Sequence, residues 1–392
     1  TTIPISIVPF DGDGGGPAAV SSVVAADLAR SGLFQMVDGS TVSPRPQRAT
    51  EVRVGDWRAK GADAVAVGTV RMQPDGRADV HFDLVDTVKQ QTIASQSFLI
   101  NSNQMRITGH RIADVIYEKL TGDRGVFSTR IAYVTKQGPR FQLVVADVDG
   151  ADPQTVVSSN EPILSPKWAP DGTRLAYVSF EQKKPIVYVQ NMATGRRAAI
   201  ANFRGSNSSP AWSPDSRQLA VTLTRDGNSQ IFIMNAEGGE VRRVMSSPGI
   251  DTEACYTPDG KSLLFTSDRG GSPQIYRINI ASGSVERVTF DGSYNVSPRA
   301  LPDGKGIVYV RRDGGRFQVA ILDYATRQTQ VLTQGPDDES PSVAPNGKMI
   351  LYANEIGGRG TLAAVSSDGR VKQRLSASAL DVREPAWGPL PQ

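Results

Sequence analysis

The chain has 392 residues, 39% of them hydrophobic and 21% charged, which is longer than one ordinary core needs and points to two domains. Its 43 Lys and Arg stand against 40 Asp and Glu, a net charge of +3. That balance excludes the concentrated basic face of a nucleic-acid binder, and no apolar run approaches the ~20 residues that insert across a bilayer. The chain opens at Thr1 without an initiator Met, a start that removal of an export signal would leave and that trimming of the N-terminus would leave equally.

The first 122 residues mix strands and helices. IPISIVPF reads as a strand, residues 17–31 as a helix ending at Gly32, and LFQMVD as a second strand. A short helix is expected over residues 50–60, around Trp57. ADAVAVGTVRM, ADVHFDLVDT and TIASQSFLI alternate as three more strands, and residues 104–120 form a helix stopped by Thr121-Gly122. This is the pattern of a small α/β domain with one mixed sheet, over residues 1–122. Residues 123–127 then read as a linker.

Between the first strand and the first helix lies DGDGGG, residues 11–16. A glycine-rich loop at a helix start can cradle phosphate. Here no Lys-Ser/Thr follows, the glycines do not fit GxGxxG, and two aspartates repel phosphate. The acidic Gly-rich start also lacks the downstream Glu of a calcium loop. A flexible surface loop is the expectation. The two histidines, His81 and His110, fit no metal-ligand spacing, and structural or surface roles are expected for both.

From residue 128 onward the chain repeats. PKWAPDGTRLAYVS (166–179), PAWSPDSRQLAVTL (210–223), ACYTPDGKSLLFTS (254–267), PRALPDGKGIVYVR (298–311) and PSVAPNGKMILYAN (341–354) share one pattern, and PAWGPL (385–390) is a truncated sixth. The turn prolines, Pro170, Pro214, Pro258, Pro302, Pro345 and Pro389, are spaced by 44, 44, 44, 43 and 44. In each unit a short strand runs into a Pro-Asp-Gly turn. Pro presets φ, Asp bonds nearby amides and Gly takes positive φ. A second apolar strand, a third strand and a polar outer strand follow. Four antiparallel strands at this period make a propeller blade. Third strands near 141, 186, 230, 274, 317 and 361 count six blades.

Closure is legible too. Residues 128–134 (STRIAYV) match a second strand and 141–150 a third, with no first strand ahead of them. The C-terminal PAWGPL supplies it, which removes the exposed sheet edge. The fold class is therefore α/β plus all-β: a small mixed-sheet domain followed by a six-bladed β-propeller over residues 128–392, closed by the C-terminal strand.

The position just before each repeat segment holds Ser165, Ser209, Glu253, Ser297, Ser340 or Glu384. One residue earlier stand Leu164, Ser208, Thr252, Val296, Glu339 and Arg383. First strands line a propeller's axial channel, so these positions are read as loops ringing one channel mouth. Their variety suits a partner's loop or helix. Together with Asp251 and Asn295 they make the mouth the leading binding surface. The repeated Asp171, Asp215, Asp259 and Asp303 are assigned to turn stabilisation. Cys255, the one cysteine, excludes an intrachain disulfide and a Cys-based zinc site; at an apolar strand position it reads as a buried, inert thiol.

No GxSxG elbow exists, and no His follows residue 110, so a hydrolase triad has no base in the propeller. The protein is read as non-catalytic. The competing reading is a propeller that binds a small ligand or sugar, or the accessory domain of a periplasmic hydrolase. No cofactor is expected, although carboxylates and carbonyls at the channel leave room for a structural calcium ion.

Three stretches carry a family resemblance: IPISIVPF near the start, ITGHRIADVIYEKLTGDRGVFSTRIAYV (107–134), and the WxPDG repeats with the terminal EPAWGPL. Through them nearly the whole chain resembles the TolB family, soluble periplasmic propellers of the Tol–Pal cell-envelope system. The resemblance implies a periplasmic monomer whose propeller mouth binds the lipoprotein Pal. It implies a segment ahead of the first strand that binds TolA; here only Thr1 and Thr2 precede Ile3. It also implies roles in outer-membrane integrity, in envelope constriction at cell division, and as a target of colicins during import. Family Pal-binding positions map onto Ser206, Ser209 and Thr252, where the first two can be His and Ala in the family. The site set read from the sequence is Ser206, Ser209, Asp251, Thr252, Glu253, Asn295, Ser297, Glu339 and Glu384.

Overall fold

The structure is a computed structural model that describes residues 1–375 and 380–391. The chain divides into two compact units, Thr1–Ser128 and Thr129–Gln392. No helix among the described residues is long and apolar enough to cross a membrane.

The first unit is built on one five-stranded sheet. Its strands are β1 (Ile3–Ile7), β2 (Phe34–Met36), β3 (Ala64–Met72), β4 (Ala78–Asp86) and β5 (Gln91–Ile100), in the order β2-β1-β3-β4-β5. β1 runs parallel to β2 and β3, while β3, β4 and β5 are antiparallel. The sheet is mixed, as its alternating strands and intervening helices require. Helices α1 (Val20–Arg30) and α3 (Met105–Thr121) bury one apolar stripe each against it, through Val20, Val24, Leu28, Ile112 and Ile116. Gly109 lets them approach: a Cβ there would lie 2.8 Å from that of Val23. A second cluster gathers Val8, Val65 and Val67 around Trp57 of α2 (Val54–Ala59).

The acidic glycine-rich loop is more firmly held than its composition suggests. Asp13 accepts the amides of Val20 and Ser21, each at 2.8 Å, and so caps α1 from seven residues away. Asp11 pairs with Arg71 at 2.7 Å. Both histidines are hydrogen-bonded to a carboxylate. His110 is buried, with Nδ1 2.5 Å from the Asp27 carboxylate. His81 lies between Ser97 at 2.7 Å and Asp83 at 2.9 Å.

The second unit is six sheets of four antiparallel strands. Blades one to five are continuous in sequence and start with Ile163–Trp168, Asn207–Trp212, Asp251–Tyr256, Asn295–Ala300 and Glu339–Val343. Blade six takes its first strand, Asp381–Trp387, from the C-terminus and its other three from residues 130–159. Ala386 registers with Ala132 and Trp387 with Ile131. The ring is thus closed by pairing the two ends of the unit. Between sheets lie apolar cores such as Val178, Val187, Leu219 and Phe232, each too small to stand alone, which is why blades are stable only as a ring.

The turns follow their chemistry. Asp171, Asp215, Asp259 and Asp303 each accept the amide two residues on, at 2.9 to 3.0 Å. Gly172, Gly260 and Gly304 hold φ of 72° to 77° in these turns, and Ser216 takes the same region at 63° where the second repeat reads PDS.

Candidate channel mouth of the propeller

The six innermost strands share one distortion. In each, pairing with the second strand shifts register in mid-strand, for example between Thr252 and Cys255 and between Val296 and Arg299. The residue at the shift is left-handed in every blade: Ser165, Ser209, Glu253, Ser297, Ser340 and Glu384 have φ of 50° to 56°. Non-glycine residues avoid this region at a cost of order 1–2 kcal/mol each. Six repetitions make a built ring, since bulges of this kind re-aim side chains. These positions were expected in loops ahead of the first strands. They lie inside the strands, as bulge residues.

The bulge ring borders a cavity of about 490 Å³ on the propeller axis. Ser165, Glu253, Ser297, Ser340 and Glu384 line it, together with Glu339. The Ser297 hydroxyl donates to the Glu253 carboxylate of the neighbouring blade. Thr252 lies 3.3 Å, hydroxyl to hydroxyl, from Thr222. Glu339 reaches solvent at the rim; crowding by protein raises its pKa above the usual carboxylate value, and repulsion from Glu384 adds to this. Ser206 lies just before the second blade, its amide donating to Thr224 at 2.8 Å. Ser206 and Ser209 are half-buried.

Four of the nine expected residues, Glu253, Ser297, Glu339 and Glu384, line the cavity, and two are turned inward. Asp251 is fully buried and paired with Arg269 at 3.1 Å. Asn295 is buried and donates to Gln274 at 2.9 Å and to the Asp291 carbonyl at 2.8 Å. Asn207, at the same place in blade two, donates to the carbonyls of Pro185 and Phe203. A buried polar side chain must be hydrogen-bonded, and these residues are bonded inward. They fix the loops that enter the first strands.

Residues outside the expected set also line the cavity. Tyr294 and Phe317 both line the cavity and meet edge-to-face at 6.0 Å. The Arg312 guanidinium lies 4.4 Å from the Tyr294 ring. Leu164 and Ile250, on the approaches to blades one and three, are 37% and 46% exposed. The signal was present for Tyr294 and Ile250, an aromatic and an apolar residue just ahead of first strands. Cys255 also departs from expectation. It is half-buried and lines the cavity instead of the core, with Sγ 3.4 Å from the Tyr256 carbonyl.

Comparison with known proteins agrees with both units. The family model described as the TolB beta propeller domain matches residues 117–391, and that of the TolB amino-terminal domain matches residues 1–93. The chain belongs to the TolB family. It is 69% identical over 390 residues to the Tol-Pal system protein TolB of Aromatoleum aromaticum, covering 100% of this chain and 91% of that one. To the protein of the same name from Methylobacillus flagellatus it is 62% identical over 391 residues, covering 99% and 90%. The crystal structure of TolB from Acinetobacter baumannii superposes with a TM-score of 0.93 at 43% identity, covering 100% of this chain and 97% of that one. The curated relatives are named as proteins of the Tol-Pal system.

Proposed function

We propose that the protein is a periplasmic scaffold of the Tol–Pal system that holds the peptidoglycan-associated lipoprotein Pal at the mouth of its propeller channel. Through that contact it supports outer-membrane integrity and envelope constriction at cell division. The observation that carries the reading is the composition of the mouth. An aromatic pair, Tyr294 and Phe317, stands beside Arg312 and lines the same cavity as a polar ring of Ser and Glu. Aromatic and Arg anchors with a polar rim are what protein docking sites are made of. A segment ahead of β1 contacts TolA in this scheme, and colicins use the same propeller during import.

Calorimetry of purified Pal with the chain tests the placement. Thr252→Arg and Glu253→Lys lie at the mouth, and each is expected to weaken binding by about 2 kcal/mol, the scale of a central interface residue. Unchanged affinity for both variants sinks the site.

A further inference from the structure

We propose that the channel holds a small oxyanion, a carboxylate or a phosphate, between Lys167 and Arg299. The two residues share a level, each two positions after its blade's left-handed bulge residue, Ser165 and Ser297. The innermost strands touch in the cyclic order of blades one to six, with blade six returning to blade one. Blades one and four are therefore opposite, and so are Lys167 and Arg299. Both line the 490 Å³ cavity.

Neither charge is paired directly with a carboxylate, although Glu253, Glu339 and Glu384 line the same cavity. Among the described residues, Lys167 makes no ion pair and no side-chain hydrogen bond. Arg299 makes no ion pair and spends one donor on the Pro298 carbonyl, at 2.7 Å. Glu253 and Glu384 lie one level nearer the mouth, and Glu253 already accepts from Ser297. Loss of water around Lys167 is the main influence on its ammonium, and repulsion from Arg299 comes next; together they bring its pKa down to about 7 against the weaker pull of Glu384, Cys255 and Glu253. Two like charges facing each other in a poorly hydrated space are unfavourable. An anion between them reverses the sign of both interactions.

The rest of the level suits such a guest. Ser342 accepts the Trp387 amide at 2.8 Å, which leaves its own proton to donate. The remaining positions are Ala211, Cys255 and Ala386, small side chains that keep the centre open. A compact oxyanion with several acceptor oxygens can take charge-assisted hydrogen bonds from Lys167, Arg299 and Ser342 at once.

Titration of the full chain with inorganic phosphate, and separately with acetate, at pH 6.5 tests this by calorimetry. One site is expected, and the better ligand identifies the source of the oxyanion. Lys167→Met and Arg299→Met are each expected to lower affinity by at least about tenfold, as loss of a charge-assisted hydrogen bond does. The exposed Lys183→Met is expected to leave it unchanged. Lys167→Gln replaces the Met variant if that fails to fold. Nitrogen NMR of the Lys167 ammonium in the unmodified chain gives a second reading, a pKa raised by the bound anion. Equal affinity in the chain and its Lys167 variant, or no binding together with an unmoved Lys167 titration, overturns the proposal. No partner protein enters the measurement, so its failure is distinct from failure of docking at the mouth.

Discussion

The indole N–H of Trp387 donates to the hydroxyl of Thr129 at 2.7 Å, joining positions 258 residues apart. The same tryptophan donates its amide to Ser342 in blade five. One residue near the C-terminus therefore ties the last blade both to the entry of the propeller and to its neighbour. Trp387→Ala is expected to destabilise the propeller by about 3 kcal/mol, the lower end for removing a packed tryptophan. Removal of residues 381–392 leaves the strand Arg130–Gln137 with an open edge and is expected to abolish cooperative unfolding. Differential scanning calorimetry of both variants checks this.

The left-handed ring gives a second expectation. Ser340 has φ of 56°. Ser340→Val puts a β-branched side chain where the backbone least tolerates it, and about 2 kcal/mol of stability should be lost. Ser340→Gly relieves the steric conflict and should be close to neutral, because its gain is offset by the entropy of a freer unfolded chain. Equal losses from both would show that backbone conformation does not govern the position. Denaturant midpoints decide the matter.

Asp13 caps α1 through space, from a loop whose glycines let the carboxylate fold back. Asp13→Ala removes the acceptor of two amides and of the Ser21 hydroxyl. A loss of about 1–2 kcal/mol, the usual worth of an N-terminal cap, is expected in the first unit. Faster amide exchange confined to residues 20–24 is the signature to seek.

Asp114 links α3 to the residues that follow it, accepting the amides of Phe127 at 2.7 Å and Ser128 at 3.2 Å. Burial is the main influence on its carboxyl and raises the pKa to about 6; the bonds from Ser128 and Phe127 act against this, and Asp27 adds repulsion. The folded state thus holds this proton more tightly than the unfolded chain. The stabilisation that follows is full below the ordinary pKa of 3.8. It is lost as pH rises through about 6. Asp114→Asn should flatten the pH dependence of stability between those values. Amide exchange of α3 as a function of pH, with carbon NMR of the Asp114 carboxyl, measures it.

Blade number and ring closure were legible because one period of near 44 residues repeats and each unit carries its own turn chemistry. The turn aspartates were legible for the same reason. The mouth was legible only in outline. Asp251 and Asn295 have the side chains of surface residues, and nothing local distinguishes a polar group bonded inward from one facing water. Their partners are remote in sequence: Arg269 lies in the same blade as Asp251, and Gln274 comes from the blade before that of Asn295. The bulge ring was hidden because Ser and Glu do not announce positive φ as Gly does. Cys255 alternates with apolar neighbours and so reads as core, whereas the first strand turns that face toward the axis. Asp13 acting as a cap from seven residues away lies outside any short-range signature.

The tryptophans at the ends of the first strands have a further consequence. Trp168 donates to the Ala386 carbonyl at 3.2 Å and Trp212 to the Lys167 carbonyl at 2.9 Å, each reaching into the preceding blade. With Trp387 these straps fasten blades six, one and two. The matching places in blades three, four and five hold Tyr256, Ala300 and Val343, and the Tyr256 hydroxyl has no hydrogen-bond partner among the described residues. The indole straps are gathered on one arc of the ring, while the other is joined across blades by smaller polar contacts, such as Ser297 to Glu253 and Asn295 to Gln274. Thr252, Glu253, Tyr294 and Phe317 all belong to the arc without indole straps. A guest seated on them would span blades that no tryptophan joins, and so would add a fastening of its own to the circle.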